Sequence, residues 1–368
     1  MSGCGKEKEG SMAAGGYARH TPVLLTQVVA ALSPRDGGRY VDATFGAGGY
    51  SCAILESAKC SVLGIDRDPT AISAGEEIAK RLAQDDRLQD DRLQDDRLRG
   101  GGAGLTVVLG RFRDLERIGR ERGFAPADGV VFDLGVSSMQ LDQPERGFSF
   151  MQDGPLDMRM SGEGPSAADV VNSLDEKDLA DIFFMLGQER RSRAVAKEIV
   201  RRRAIEPFAR TLDLARLVAR VVGRGREETK HPATRCFQAL RIYVNDELNE
   251  IAEGLCAAER LLRPGGRLVV VSFHSLEDRI VKRFFAERCG RRARPSRHAP
   301  DWDEAAPWAS FAPGVRHPVE PSAEETRANP RSRSARLRWG ERTDAPPVRL
   351  DLQALGLPAL NIPATEGR

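Results

Sequence analysis

Apolar positions change period along the chain. Val23, Leu24, Val28, Val29 and Leu32 fall on one face of a 3.6-residue repeat, predicting a helix from Thr21 that stops at Ser33-Pro34. The run around Tyr40-Val41 then predicts a buried strand. It is followed by a helix over 51–57, a strand over 61–65 and a helix starting near Pro69, where proline suits the first turn. Two more strands are expected at 105–109 and 129–133. Strand and helix in alternation predict a parallel sheet.

After about Gly147 the alternation stops, and the chain to about Asn249 reads as helix only. Ser173-Leu-Asp-Glu176 reads as a capping box opening a helix that Gly187 closes. Thr211 caps a helix ending before Gly223, and Pro232 starts another. Strand logic returns at 267–273 behind the turn Pro264-Gly265-Gly266, with a helix from Ser275 whose expected capping pair is Ser275 and Asp278. The expected fold class is therefore α/β: a sheet domain over 20–146 and 250–368, interrupted by an inserted all-α domain over 147–249. Residues 1–19 read as a disordered leader. Between 84 and 104, a threefold Gln-Asp-Asp-Arg-Leu has a five-residue period that suits neither helix nor strand, and it reads as a surface insertion.

Composition narrows the function classes. The six cysteines are far apart with no Cys-x-x-Cys pair, and no signal peptide pattern is present, so neither a disulfide framework nor a zinc site is expected and the compartment reads as cytoplasmic. The five histidines show no metal-ligand spacing, and no apolar run approaches the roughly 20 residues that cross a bilayer. No metal and no membrane are expected. The net charge of +2 is nearly neutral, but its distribution is uneven. From Gln188 to Arg235 there are fourteen Lys or Arg against six Asp or Glu, and further arginines lie in the tail at Arg291, Arg292, Arg294, Arg331, Arg333, Arg336 and Arg338. Such zones are either solvated helix faces or a phosphate-binding surface.

The chemistry sits at strand ends. Asp42 ends the first strand and runs into Gly46-Ala-Gly48-Gly49, glycines that let backbone approach a ligand closely. Asp66 ends the second strand, where a carboxylate can accept bonds from both ribose hydroxyls. Any adenosine cofactor fits so far. A dinucleotide would bring its pyrophosphate to a helix N-terminus next to Asp42, which repels it, whereas the cationic sulfonium and amino group of S-adenosylmethionine are attracted by Asp42 and by Asp133 at the end of the fourth strand.

Separated segments then carry a specific resemblance. They are His20-Thr-Pro-Val-Leu-Leu, Asp42-Ala-Thr-Phe-Gly-Ala-Gly-Gly-Tyr-Ser51, Ile65-Asp-Arg-Asp-Pro69, Phe132-Asp-Leu-Gly-Val-Ser-Ser138 and Glu145-Arg-Gly-Phe-Ser-Phe-Met-Gln-Asp-Gly-Pro-Leu-Asp-Met-Arg159. Further on come His231-Pro-Ala-Thr-Arg-Cys-Phe-Gln-Ala-Leu-Arg241, Ser272-Phe-His-Ser-Leu-Glu-Asp278 and Asn329-Pro-Arg-Ser-Arg-Ser-Ala-Arg-Leu. Together they resemble the bacterial 16S ribosomal RNA cytosine-N4 methyltransferase family, RsmH or MraW. The resemblance implies a class I S-adenosylmethionine-dependent methyltransferase fold, with the helical insert as substrate domain. Its expected partner is 16S rRNA or the assembled small ribosomal subunit, and its expected target is the N4 of a decoding-centre cytosine. It also implies cofactor contacts from Gly48, Gly49 and Tyr50 in the loop, Asp66 on the ribose, Phe112 beside the adenine, and Asp133 with Gln140 near the methionine end. Tyr50 stands where the family is expected to carry His. Asp133 is the expected catalytic residue, as acceptor or orienter of the amine; His274 reads as structural. The alternatives are a nucleotide-dependent oxidoreductase and a non-catalytic RNA-binding ribosome-assembly factor.

Overall fold

In a computed structural model, residues 22–84, 104–223, 231–290, 308–360 and 362 are described. The expected leader, the Gln-Asp-Asp-Arg-Leu repeats beyond Gln84, and Arg291, Arg292 and Arg294 lie outside them.

Helix α1 (Leu25–Leu32) leads into β1 (Arg39–Asp42), α2 (Gly49–Ser57), β2 (Ser61–Asp66), α3 (Pro69–Leu82), β3 (Gly104–Leu109), α4 (Leu115–Glu121) and β4 (Ala127–Asp133). Between β4 and β5 (Leu262–Ser272) the described residues form helices α5 (Ser138–Asp142), α6 (Ala167–Ser173), α7 (Glu176–Met185), α8 (Ser192–Arg203), α9 (Thr211–Val222), α10 (Thr234–Val244) and α11 (Glu247–Leu261). The chain closes with α12 (Ser275–Arg288), β6 (Phe311–Pro313), α13 (Ala323–Ala328) and β7 (Arg336–Arg342). The seven strands run in the order β3-β2-β1-β4-β5-β7-β6. Strands β1 to β5 are mutually parallel, and β7 is antiparallel to both β5 and β6. This is the Rossmann-like α/β class expected of the family. Strand order reverses between β1 and β4, and a crevice opens beyond their carboxyl ends, where such sheets bind ligands.

Three helix starts differ from expectation, each because another side chain reaches the free amides better. Asp175, extended at φ −71° and ψ 169°, caps α7 by accepting from the Asp178 amide at 2.8 Å; Ser173 is still inside α6, donating back to the Asp169 carbonyl. Arg210 occupies the cap position of α9 without capping it; Asp153 accepts from the Leu212 amide at 3.2 Å, and Thr211, the first helical residue, accepts instead from the Gly154 amide at 3.0 Å. On α12 the capping box pairs His274 with Glu277, not Ser275 with Asp278. Asp278 is thereby left to Arg338, whose Nε donates at 2.8 Å.

The basic tail is also reassigned. Arg336 and Arg338 belong to β7, a strand invisible to alternation because arginine stems cover its flanks; Arg336 faces Glu320 at 3.5 Å. Arg288 is wholly buried against Glu259 at 3.3 Å, and Glu259 also accepts from Ser310 and from the Val348 amide, anchoring the last segment of the fold.

The buried apolar residues form two clusters, one of which joins the sheet to the helices. That cluster runs from Val41, Leu63 and Phe132 in the sheet through Leu179 and Ile182 of α7, Val195 and Ile199 of α8, and Leu214 and Val218 of α9.

Candidate cofactor and substrate site

Phe45 fixes the loop after β1. Its buried ring lies against three glycines: a Cβ added at Gly64 would come within 2.4 Å of it, at Gly75 within 2.6 Å and at Gly48 within 2.8 Å. Burying such a ring stabilises by roughly 2–3 kcal/mol, and three positions without side chains give it its only seat. Gly48 itself has φ +77° as the residue before α2, a conformation that favours glycine. It therefore shapes the turn, between Gly46 and Gly49 that line the cavity.

The other expected residues converge. Gly49, Tyr50, Asp66, Phe112, Asp133 and Gln140 line one cavity of about 660 Å³, together with Asp42, Thr44, Gly46, Arg67 and, at its far side, Met160, Arg241, Phe273, His274 and Glu277. Gly49 is glycine because Pro22 packs on it, with Cγ 2.2 Å from a would-be Cβ. Tyr50 is buried, and its hydroxyl donates to the Val23 carbonyl, so the residue ties the segment before α1 to α2. Phe112 stands edge-on to Phe132, centroids 5.7 Å apart, and presents a flat apolar wall.

Asp66 holds the loop with both oxygens, accepting from the Gly46 and Asp68 amides at 2.8 Å each. Burial raises its pKa. A carboxylate has about four acceptor positions, so two remain for a diol. Asp42 is almost fully buried; it accepts from Ser51 Oγ at 2.8 Å and from the Thr44 amide at 3.3 Å, and burial pushes its carboxyl up to about 6.

Gln140 has a structural duty as well. Its side chain is committed to protein partners: Oε1 accepts from the Ser137 amide at 3.1 Å and Nε2 donates to Asp68 at 2.9 Å. It borders the cavity while acting as a brace. Asp68 also takes Arg146 at 2.9 Å, and these hydrogen bonds outweigh burial and hold its carboxyl below the usual range. The spacing of these residues in the chain gave no sign of this knot.

Asp133 is the group with work left to do. Its amide donates to Thr44 Oγ1 at 2.6 Å, but its Oδ1 is buried with no hydrogen-bond partner. Burial, then the charges of Asp42 and Glu277, raise its pKa well above that of an ordinary aspartate. Beyond it, Glu277 is fully buried, accepts from the Phe273 and His274 amides, and stays below the usual range: burial would raise it, but His274, Arg241 and the Phe273 amide outweigh that. Two neighbouring carboxyls are thus pushed apart, one toward the acid form and one toward the ionised form, the pattern that marks acid–base assignments.

Glu247, His274 and Glu277 each offer a ligand atom within 4.8 Å of the others, a three-dimensional cluster that linear spacing did not reveal. Arg241 already supplies positive charge there, doubly bonded to Glu247 at 2.7 Å and 3.9 Å from Glu277 Oε1.

The residues fit S-adenosylmethionine. Buried carboxyls at three strand ends suit its cations, Asp66 retains acceptor capacity for a ribose, and Phe112 offers an apolar face for a purine.

Comparison with known proteins agrees. A ribosomal RNA small subunit methyltransferase H of Parvibaculum lavamentivorans is 56% identical over 348 residues, covering 95% of this chain and 96% of that one. Its namesake in Methylorubrum populi is 53% identical over 371 residues, 100% of this chain and 99% of the relative, and that of Brucella anthropi is 52% identical over 354 residues, 96% and 95%. The profile of the MraW methylase family matches residues 17–343. By its own matched length, and by relatives sharing more than half its residues, the chain belongs to the MraW methylase family.

Proposed function

We propose that this chain methylates the exocyclic N4 of a decoding-centre cytosine in 16S ribosomal RNA, in the cytoplasm, through its helical segment 147–249 and the cavity at the strand ends. Membership of the methylase family makes it an S-adenosylmethionine-dependent methyltransferase. That donor supplies an activated methyl group when bound.

The chain's own part is positioning and proton handling. A cytosine amine is a poor nucleophile because its lone pair is delocalised into the ring, so it has to be aligned and given an acceptor for an N–H. Asp133 Oδ1, buried and unpartnered at the end of β4, is the observation that supports this reading most directly. Methylation releases one proton from the amine, and a buried carboxylate, whose affinity for a proton is raised by burial, is a competent first acceptor when the cationic donor holds it ionised.

The target base has to be unstacked to enter. Exposed cations on the helical segment support a phosphate grip: Arg193, Lys197 and Arg201 repeat at four-residue spacing on α8, and Arg216 and Arg220 do so on α9, which packs beside it. Arg201 is paired with Glu198, whose carboxyl is held low first by that bond and further by Arg220, so the two helices present their cations on one face. Arg202 and Arg203 contribute less: Arg202 lies over the Phe208 ring and pairs with Glu206, and Arg203 donates to the Val171 carbonyl. Among the described residues no helix is long and apolar enough to cross a membrane.

The test is mass spectrometry of small-subunit RNA after incubation with labelled donor, comparing naked RNA with assembled subunits. One methyl group on the N4 of one cytosine is expected; transfer to another atom, or none to either substrate, overturns the reading.

A further inference from the structure

We propose that His274 is a specificity-determining residue: its Nε2–H reads the ring nitrogen beside the target amine, while Asp133 receives the amine itself. The inference rests on the cytosine reading above. His274 is the cap of α12, and the Glu277 amide donates to its Nδ1 at 3.4 Å. With Nδ1 accepting, the ring proton sits on Nε2. Nε2 lies at ion-pair distance, 3.0 Å, from Glu277 Oε1, but out of hydrogen-bond alignment, so its N–H is not used up by that contact.

Buried polar atoms are costly to leave unpaired. Among the described residues, Asp133 Oδ1, His274 Nε2 and Glu277 Oε1 are buried side-chain atoms that lack a hydrogen bond, and all three lie on the wall of one cavity. Glu277 and Phe273 approach the loop that follows Asp133: a Cβ added at Gly135 would be 3.7 Å from the Phe273 ring and 3.8 Å from Glu277 Oε1. The acceptor on β4 and the donor before α12 therefore face a common space with an aromatic ring beside it.

That pairing matches an amine beside a ring-nitrogen acceptor, an edge that cytosine shares with adenine and that uracil lacks. Cytosine offers an amine donor next to a ring-nitrogen acceptor, the complement of Asp133 Oδ1 next to His274 Nε2–H. Uracil reverses both positions and would leave two buried groups opposed. Arg241 bridges Glu247 and Glu277, and the Glu277 amide in turn donates to Nδ1 of the imidazole, so the donor is fixed before the base arrives.

The experiment is a cycle between enzyme and substrate. His274→Asn keeps a residue that caps helices well but withdraws the imidazole N–H. Small subunits are reconstituted with cytidine or 3-deazacytidine at the target, the latter replacing the ring nitrogen with C–H, and single-turnover methylation is measured with wild-type and variant enzyme. Wild type is expected to lose roughly 10- to 100-fold on 3-deazacytidine beyond the loss seen with the variant, since a hydrogen bond at such a site is worth about that much. The altered reactivity of the analogue affects both enzymes and cancels. Equal losses in both, or a variant that methylates cytidine at the wild-type rate, overturn the proposal. If wild type methylates neither substrate, it is the cytosine reading that fails.

Discussion

The Gln140 side-chain amide donates to Asp68 Oδ2 at 2.9 Å, tying the turn after β4 to the first residue before α3, 72 positions away. Asp68 also receives Arg146, so this single carboxylate joins the cofactor loop's supports to the entry of the helical segment.

Asp68→Ala is therefore expected to destabilise the protein by about 2–4 kcal/mol, because Arg146 and Gln140 are left facing a partly buried gap. The carboxyl is depressed in the fold, so its contribution is present above the unfolded pKa near 4 and is lost as pH falls through the lower folded value. Urea unfolding at pH 7 should show the full difference between wild type and variant, and the two curves should draw together as pH falls through the depressed folded value. A constant gap across that range would refute the assignment.

Asp42 behaves in the opposite sense. With its carboxyl raised to about 6, the folded protein binds the proton more tightly than the unfolded chain, so stability falls as pH rises from about 4 to about 6 and the penalty is complete above that. Asp42→Asn should make the cofactor-free protein more stable at pH 8, by about 2–3 kcal/mol at most. A cationic ligand favours the ionised form, so wild-type affinity for S-adenosylmethionine should drop as pH falls below 6, and calorimetry in buffers of different ionisation enthalpy should register proton release on binding near that pH. Proton uptake would count against it.

The seat of Phe45 sets two effects of known size against each other. Gly75→Ala gains about 1 kcal/mol of helix propensity in α3, but its Cβ would meet Phe45 at 2.6 Å and Val107 at 3.0 Å, and overpacking costs about 1–3 kcal/mol. Overpacking is expected to win, lowering both stability and S-adenosylmethionine affinity although Gly75 is not on the cavity wall. Adding Phe45→Leu should restore stability in part.

Lys197→Glu with Arg216→Glu tests the cationic face. Affinity for small-subunit RNA should fall, and the slope of log affinity against log salt should flatten by about 1–2, with S-adenosylmethionine affinity unchanged. An unaltered slope would remove these helices from the phosphate grip.

What could be read without coordinates was what is local. Asp42, Asp66 and Asp133 stood out because each ends an apolar run, and the glycines after Asp42 because three occur in four residues. Capping positions slipped by one or two residues wherever two competent side chains adjoin, as at Ser173 and Asp175. The pairings of Asp68 with Arg146, of Arg241 with Glu247 and Glu277, and of Phe45 with Gly64 and Gly75 are fixed by the tertiary fold, and nothing in their spacing announces them. Strand β7 escaped notice because four of its seven residues are charged.

The unbroken core from the sheet into the helices has a consequence for timing. Close-packed interiors yield little, so the reading edge and the cationic face keep a fixed separation, and adjustment falls to the RNA. On the cytosine reading, the enzyme works as a gauge: a strand engages it only when loose enough to hand over a base across that fixed span.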